Sequence, residues 1–312
     1  MPKINKMKFS IAIHGGAGTI TRALMTPEKE LAYTAGLDAA LACGEAILQA
    51  GGSALDAVQA AVVDLENNHL FNAGRGSVFT NKGTHEMDAA LMCGATLNAG
   101  AVAGIHSVKN PIALCRTVMD KSGHVFLAGQ QAVDFAKLQG LELKEEAYFK
   151  DDFRYNQWLE VKDQEVYQLD HSGDKKFGTV GAVALDSQGN LAAATSTGGM
   201  TNKRWGRIGD SPVIGAGTYA NNNSVAISCT GHGEYFIRAV VAYDIACLME
   251  YAGMTLEQAC EKVVMDKLVK MGGEGGLIAI DNRGNICLPF NSEGMYRASA
   301  TESGREVRIY RE

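Results

Sequence analysis

The feature that most constrains this chain is its change of character at Gly178. Upstream, the tract from Glu142 to Lys176 is crowded with Asp, Glu, Lys, Gln and Tyr, and no apolar period is sustained through it. By composition it is a solvated linker between two lobes. Downstream, from Thr179 to Gly199, two apolar stretches flank a turn that carries Gly189, the pattern of an antiparallel hairpin. A second such pattern runs from Gly276 to Phe290 around Gly284. The second half of the chain must therefore supply several antiparallel strands to a sheet.

The first half supplies what covers a sheet. Phe9 to Ile13 reads as a short buried strand ending at His14-Gly15-Gly16-Ala17-Gly18. Those glycines permit a turn, but the run lacks the Lys-Ser/Thr ending of a phosphate-binding loop. A helix is expected from Pro27 to Gln49, with Thr26 as N-cap, Pro27 at N1, Lys29 at N3 and Gly51-Gly52 as its stop. Ser53, with Asp56 at N3, caps a second helix. Small residues dominate both helices, so they are expected to lie close against a broad sheet. After the loop Leu70 to Gly76 and the apolar segment Ser77 to Thr80, strands are expected at Met87 to Gly94 and Gly100 to Ile105. Helices follow at Asn110-Pro111 to Met119, Gly129 to Leu138, Glu234 to Tyr251 and Thr255 to Leu268. Helices early and late with strands between them give a layered α+β fold.

Composition narrows the function. Among 312 residues, 29 Lys and Arg stand against 35 Asp and Glu, a net charge of -6. That balance offers no basic stripe and disfavours nucleic acid as the main partner; a small substrate is expected. The start of the chain lacks an apolar leader core, and the Ala-rich segments are interrupted by polar residues, so a cytoplasmic protein without a membrane partner is expected. Seven cysteines, with no Cys-x-x-Cys pair, fit buried thiols in a reducing compartment better than a disulfide framework or a metal site.

Three threonines occupy special positions: Thr179 at the start of the first hairpin, Thr197 before Gly198-Gly199, and Thr230 before Gly231-His232-Gly233. A threonine hydroxyl is a weak nucleophile until a base takes its proton. No Gly-x-Ser-x-Gly elbow is present, and none of the seven histidines declares itself as that base. Spacing alone leaves the reaction open.

Six blocks resemble, in order and spacing, the threonine-dependent (plant-type) asparaginases and isoaspartyl peptidases, which belong to the N-terminal-nucleophile hydrolases. They are Ile13 to Gly18, Leu70 to Gly74, Gly178 to Gly181, Thr195 to Gly199, Gly206 to Pro212 and Thr230 to Glu234. The resemblance covers nearly the whole chain and implies a four-layer αββα sandwich. It also implies one domain cut between Gly178 and Thr179 into an alpha subunit, residues 1–178 with a polar tail from about residue 142, and a beta subunit, residues 179–312. Cleavage would expose an α-amine, whose ordinary pKa of about 7.7 to 8.0 makes it the missing base.

The remaining roles follow from the resemblance residue by residue. Thr179 is the nucleophile and Thr197 orients its hydroxyl. Thr230 with the Gly231 amide forms the oxyanion hole. Arg207 holds the substrate α-carboxylate, and Asp210 pairs with the α-ammonium, assisted by carbonyls of Gly231 and Gly233. Asn72 organises the surroundings of the nucleophile, whereas His14 is structural. No organic cofactor is implied; a sodium ion held by backbone carbonyls between Leu65 and Arg75 is, as is a dimer of alpha-beta units. The implied reaction is hydrolysis of β-aspartyl dipeptides and L-asparagine through an acyl-enzyme on Thr179. A glycosylasparaginase acting on sugar-linked asparagine and a silent amino-acid-binding protein of the same fold are the alternatives. His232, where many relatives carry a small hydroxyl residue, and the loop Lys203-Arg204-Trp205 depart from the family pattern.

Intact-mass measurement of the purified protein is expected to give two fragments, residues 1–178 and 179–312, whereas Thr179→Ala stays as one 33.2 kDa chain. A second fragment that begins at any other residue would remove Thr179 from its assigned role.

Overall fold

The computed structural model describes residues 9–163 and 178–311. Alternation with a period of two runs through its central strands. On Thr179–Leu185 (β5), Val180, Ala182 and Ala184 enter one core while Val183 and Leu185 enter another. Leu191–Thr197 (β6) repeats the pattern, with Ala192 and Ala194 on the first side and Leu191 and Ala193 on the second. A strand that is apolar on both faces must be covered on both faces. That requirement sets the mixed α+β architecture.

The remaining strands are β1 (Ser10–Gly18), β2 (Met87–Cys93), β3 (Ala99–Ile105), β4 (Phe126–Ala128), β7 (Thr218–Ala220), β8 (Val225–Gly231), β9 (Gly275–Asp281), β10 (Ile286–Cys287), β11 (Gly294–Thr301) and β12 (Gly304–Tyr310). Eight form one sheet in the order β12-β11-β1-β5-β6-β2-β3-β4, and four form another in the order β10-β9-β8-β7. Helices Pro27–Gln49, Ala54–Asn67, Pro111–Lys121 and Gly129–Leu138 share the first core with the larger sheet. The second core joins β1, β5 and β6 to β8 and β9 and to helices Gly233–Ala239 and Val241–Ala252. The helix Pro27–Gln49 is apolar and long enough to cross a membrane, but it buries Leu37, Leu41 and Leu48 in the first core.

The two early helices are capped as the sequence indicates: the Thr26 side chain accepts from Lys29 N–H, and that of Ser53 from Asp56 N–H. Gly44 explains their close approach. A Cβ there would stand 2.4 Å from Ile11 Cδ1 on β1 and 2.9 Å from Ala57 O on the neighbouring helix. All seven cysteines are free, but only Cys115, Cys229 and Cys260 are buried; Cys93, Cys247 and Cys287 are half-buried and Cys43 is exposed.

Several expectations change. The polar tract is not a solvated linker over its first part. Asp151 caps a helix at Asp152–Val161, Phe149 is buried, and the Arg154 side chain is buried and donates to Leu70 O. Trp158 stacks beside Phe79 and covers Gly83. Aromatic residues scattered among charges supply this apolar face, which a reading by composition averages away. Residues 164–177 of that tract lie outside the described residues. Strand β1 continues through the glycines to Gly18, with a bulge between His14 and Gly16. The helix expected from Glu234 to Tyr251 breaks at Val240, whose φ of 51° is left-handed. Past Thr255, regular helix at Leu256–Cys260 gives way to wider turns over Glu261–Lys267. The hairpin β11–β12 was not anticipated. Gly304 to Arg308 of its edge strand is polar apart from Val307 and largely exposed, so it lacks an apolar signature.

Ile11 is fully buried between the sheet and the first two helices, whereas Leu31 is 71% exposed. Ile11→Ala is expected to lower the free energy of unfolding by about 2–5 kcal/mol, and Leu31→Ala by no more than about 0.5 kcal/mol, in urea titrations. Equal effects would contradict this placement of the core.

Candidate active site

The edge formed by the start of β5 and the end of β6 brings the first two threonines together. Thr179 and Thr197 are register partners, and the Thr179 hydroxyl donates to Thr197 Oγ1 at 3.2 Å. Thr197 Oγ1 also accepts from Gly199 N–H at 2.9 Å and donates to the Gly178 carbonyl at 3.3 Å. One hydroxyl thus touches both the candidate nucleophile and the carbonyl of the bond preceding it. Only glycine fits at 178, because a Cβ there would lie 2.4 Å from Asn72 Cβ.

Asn72 clamps the turn after Thr197. Its Nδ2 donates to Gly199 O at 2.7 Å, its Oδ1 accepts from Val78 N–H, and its backbone carbonyl accepts from Gly198 N–H. It is linked to Thr179 through the turn and makes no direct hydrogen bond to it. Beneath the same turn, the buried Lys203 donates to Glu86 O, and burial lowers its pKa against the raising influence of Asp88 and Glu86.

The third threonine arrives from the smaller sheet. Thr230 is fully buried near the end of β8, and its Oγ1 accepts from Ala17 N–H at 3.2 Å. That contact leaves the hydroxyl proton to be donated elsewhere. The bulge in β1 precedes Ala17, which gives the glycine run a structural task. Gly15 has a second one: a Cβ there would stand 2.4 Å from the Phe71 ring.

His14 is a buried tie. Its Nδ1 lies 2.9 Å from Thr179 O and its Nε2 lies 2.9 Å from Ser228 Oγ. A carbonyl only accepts, so Nδ1 carries the proton and Nε2 accepts from Ser228. Ser228 is 2.6 Å from Thr195 Oγ1, which accepts from Thr218. Burial pushes the imidazole down to about 3, so it stays neutral and holds Thr179 by its backbone.

Arg207 and Asp210 do not pair with each other. Arg207 donates through Nε and Nη2 to the two carboxylate oxygens of Glu234, at 2.8 and 3.0 Å. Glu234 therefore presents to Arg207 the same planar, two-point carboxylate that a free amino acid would offer. Glu234 stands in the last of the six sequence blocks without a role of its own there, and its spacing of 27 residues from Arg207 carries no local signal. Asp210 is buried, its Oδ2 has no hydrogen-bond partner, and burial raises its pKa to about 7 against the opposing pull of Arg207. Gly233 gives these groups room: a Cβ there would lie 2.9 Å from both Arg207 Nη2 and Asp210 Oδ1. His232 lies against Glu234, its Nε2 3.3 Å from Oε2. Gly231, with φ of 151°, passes so close to β9 that a Cβ would stand 2.5 Å from Glu274 O.

Between Leu65 and Arg75 the backbone coils on itself. A Cβ on Gly74 would lie 2.5 Å from Glu66 O, and one on Gly76 would lie 2.1 Å from Phe71 O and 2.6 Å from His69 O. Carbonyls crowd this loop. Among the described residues no group of three or more His, Cys, Asp or Glu side chains could hold a metal ion.

Comparison with known proteins follows the same outline. A family model described as Asparaginase matches residues 7–309. The chain belongs to this asparaginase family. It is 57% identical over 296 residues to the isoaspartyl peptidase of Escherichia coli (strain K12), covering 93% of this chain and 92% of that protein. It is 57% identical to the isoaspartyl peptidase of Salmonella typhimurium, with 93% and 95% covered, and 43% identical to a probable isoaspartyl peptidase/L-asparaginase 2 of Arabidopsis thaliana, with 97% and 99% covered. Membership of the asparaginase family agrees with the resemblance read from the six sequence blocks.

Burial raises the Asp210 pKa to about 7, so the carboxylate loses its charge as the pH falls through that range and a ligand ammonium then meets a neutral carboxyl group. Binding of L-aspartate, followed by calorimetry, is expected to weaken as the pH falls below about 7, approaching tenfold per unit. Asp210→Asn is expected to bind weakly with a flattened profile, and a wild-type affinity unchanged between about pH 8 and 5 would contradict the assignment.

Proposed function

We propose that this chain hydrolyses β-aspartyl dipeptides and L-asparagine, releasing L-aspartate, after cutting itself between Gly178 and Thr179. The observation that carries the reading is the hydroxyl pair of Thr179 and Thr197 beside the Gly178 carbonyl. In the precursor, the Thr179 hydroxyl attacks that carbonyl while Thr197 polarises it, and hydrolysis of the resulting ester frees the α-amine. The products are an alpha subunit of residues 1–178 and a beta subunit of residues 179–312, both from one domain with a four-layer αββα arrangement.

In the mature enzyme the α-amine of Thr179 takes the proton from its own hydroxyl. The hydroxyl attacks the side-chain amide carbon of the substrate, forming a C–O bond, and the tetrahedral oxyanion accepts from the Thr230 hydroxyl and the Gly231 amide. The C–N bond then breaks, the amine or ammonia leaves with a proton from the Thr179 ammonium, and water releases aspartate from the ester. Loss of one oxyanion donor costs about 3 kcal/mol in the transition state. Arg207, given up by Glu234, receives the α-carboxylate, and Asp210 with the carbonyls of Gly231 and Gly233 receives the α-ammonium.

The loop from Leu65 to Arg75 fits a sodium ion, because its crowded backbone carbonyls are hard oxygen donors. When bound, the ion supplies a fixed positive charge that holds those carbonyls and so steadies the segment bearing Asn72. A cytoplasmic dimer of alpha-beta units completes the reading.

Thr230→Val removes the donor but keeps the shape. Its kcat toward a β-aspartyl dipeptide and toward asparagine is expected to fall about 10²- to 10³-fold. Wild-type turnover of N-acetylglucosaminyl-asparagine in preference to both would favour the glycosylasparaginase reading. Aspartate binding by an uncut chain that releases no ammonia from asparagine would favour the silent one.

A further inference from the structure

We propose that Cys260 and Cys287 form an oxidation site, where the two thiols close to a reversible disulfide that braces the edge of the smaller sheet. The proposal goes beyond the hydrolase reading and does not depend on it. Both residues follow Thr179 in the chain, so the site is intact whether or not the chain is cut.

The fold brings the pair together from two elements. β10 is an edge strand of the four-stranded sheet, and its register sets Cys287 opposite Ala279 on β9. Ala279 in turn stands opposite Ile227 on β8, and Cys229 is the next residue of β8 with the same orientation. Period-two alternation thus puts Cys287, Ala279 and Cys229 on one face of the sheet. The helix Leu256–Cys260 packs against both β9 and β10. Its last residue, Cys260, is fully buried in the second core, and Cys287 packs against that core from the edge. There the Cys260 thiol donates a hydrogen bond to the sulfur of Cys287.

The surroundings give the two thiols different tasks. Cys287 is half-buried at a sheet edge, within reach of a small oxidant, whereas Cys260 is enclosed. The hydrogen bond from Cys260 lowers the Cys287 pKa, against burial and the carboxylates of Glu257 and Glu261, and so favours the reactive thiolate there. The same bond, together with burial, pushes the Cys260 thiol up. Burial also pushes Cys229 well up, and Cys43, though exposed, is raised by desolvation and by Asp64. With hydrogen peroxide as the oxidant, the Cys287 thiolate attacks one peroxide oxygen. An S–O bond forms, the O–O bond breaks, and the departing hydroxide takes a proton to become water. Cys260 sulfur then attacks Cys287 sulfur: the S–S bond forms, the S–O bond breaks, and a second water leaves with the Cys260 proton. Two thiols give up two electrons, and the peroxide accepts them.

The new bond joins segments that are already tied once. Asn291, one short step past Cys287, donates from Nδ2 to Val264 O, an equal step past Cys260. Asn291 also accepts from Gly275 N–H and donates to Gly275 O, and Gly275 is the register partner of Gly231. A disulfide beside this tie closes the loop that contains β9, which restricts the unfolded chain and stabilises the folded one.

The test treats the purified protein with hydrogen peroxide, alkylates the remaining thiols and maps the peptides without reduction. A disulfide between Cys260 and Cys287 that dithiothreitol reverses is expected, with a rise of about 5 °C in the midpoint of thermal unfolding. Cys287→Ser is expected to lose both changes and Cys229→Ser to keep both. Recovery of Cys287 as the alkylated thiol, its oxidation without joining Cys260, or a crosslink from Cys260 to Cys229 would overturn the site, and the wild-type map decides this even if neither variant folds. A disulfide that forms without raising the midpoint would overturn the brace.

Discussion

The hydrogen bonds at Thr197 Oγ1 organise the candidate site. The oxygen accepts from Gly199 N–H and from the Thr179 hydroxyl, and it donates to the Gly178 carbonyl. A hydroxyl has one proton to give, so these contacts fix its direction: toward the Gly178 carbonyl and away from Thr179. Thr179 must then point its own proton at Thr197. Everything that holds the turn after Thr197, from the Asn72 clamp to the Lys203 stem packed under Gly199, holds this arrangement as well.

Buried polar groups join the two sheets at the same place. Thr218, Thr195, Ser228 and His14 form a chain of hydrogen bonds that ends on the carbonyl of Thr179. Each member lies where an unpaired polar atom would be costly, so the chain tolerates one set of positions. The bulge in β1 serves the same registration, bringing Ala17 N–H to Thr230 and so linking the larger sheet to the candidate oxyanion donor. Arg207 and Asp210 stand apart from this rigid centre. Glu234 balances the charge of Arg207, a place that a ligand's carboxylate could take, and burial disfavours the ionised form of Asp210, which a ligand's ammonium would favour.

Much of this was legible in the chain. The period-two apolar runs from Thr179 to Thr197 are the central hairpin, and the caps at Thr26 and Ser53 start helices where the sequence says they should. The glycine run after Ile13 was legible as a turn, but not as a bulged strand, because the partners that require it lie on distant strands. Glu234 was invisible as a partner of Arg207 for the same reason: pairing across 27 residues depends on how β8 delivers the next helix. The aromatic face of Asp152–Val161 was masked by its charged neighbours, and the edge strand β12 by its exposure. Local rules failed where the decisive contacts were long-range.

The central claim is that the Thr179 hydroxyl carries the acyl group. Acid-quenching the enzyme during turnover of a β-aspartyl dipeptide, followed by peptide mapping, tests it directly. The account predicts an added aspartyl group, in ester linkage, on the peptide that begins with Thr179. Turnover with the adduct on another residue, or burst kinetics with no adduct on that peptide, would contradict it.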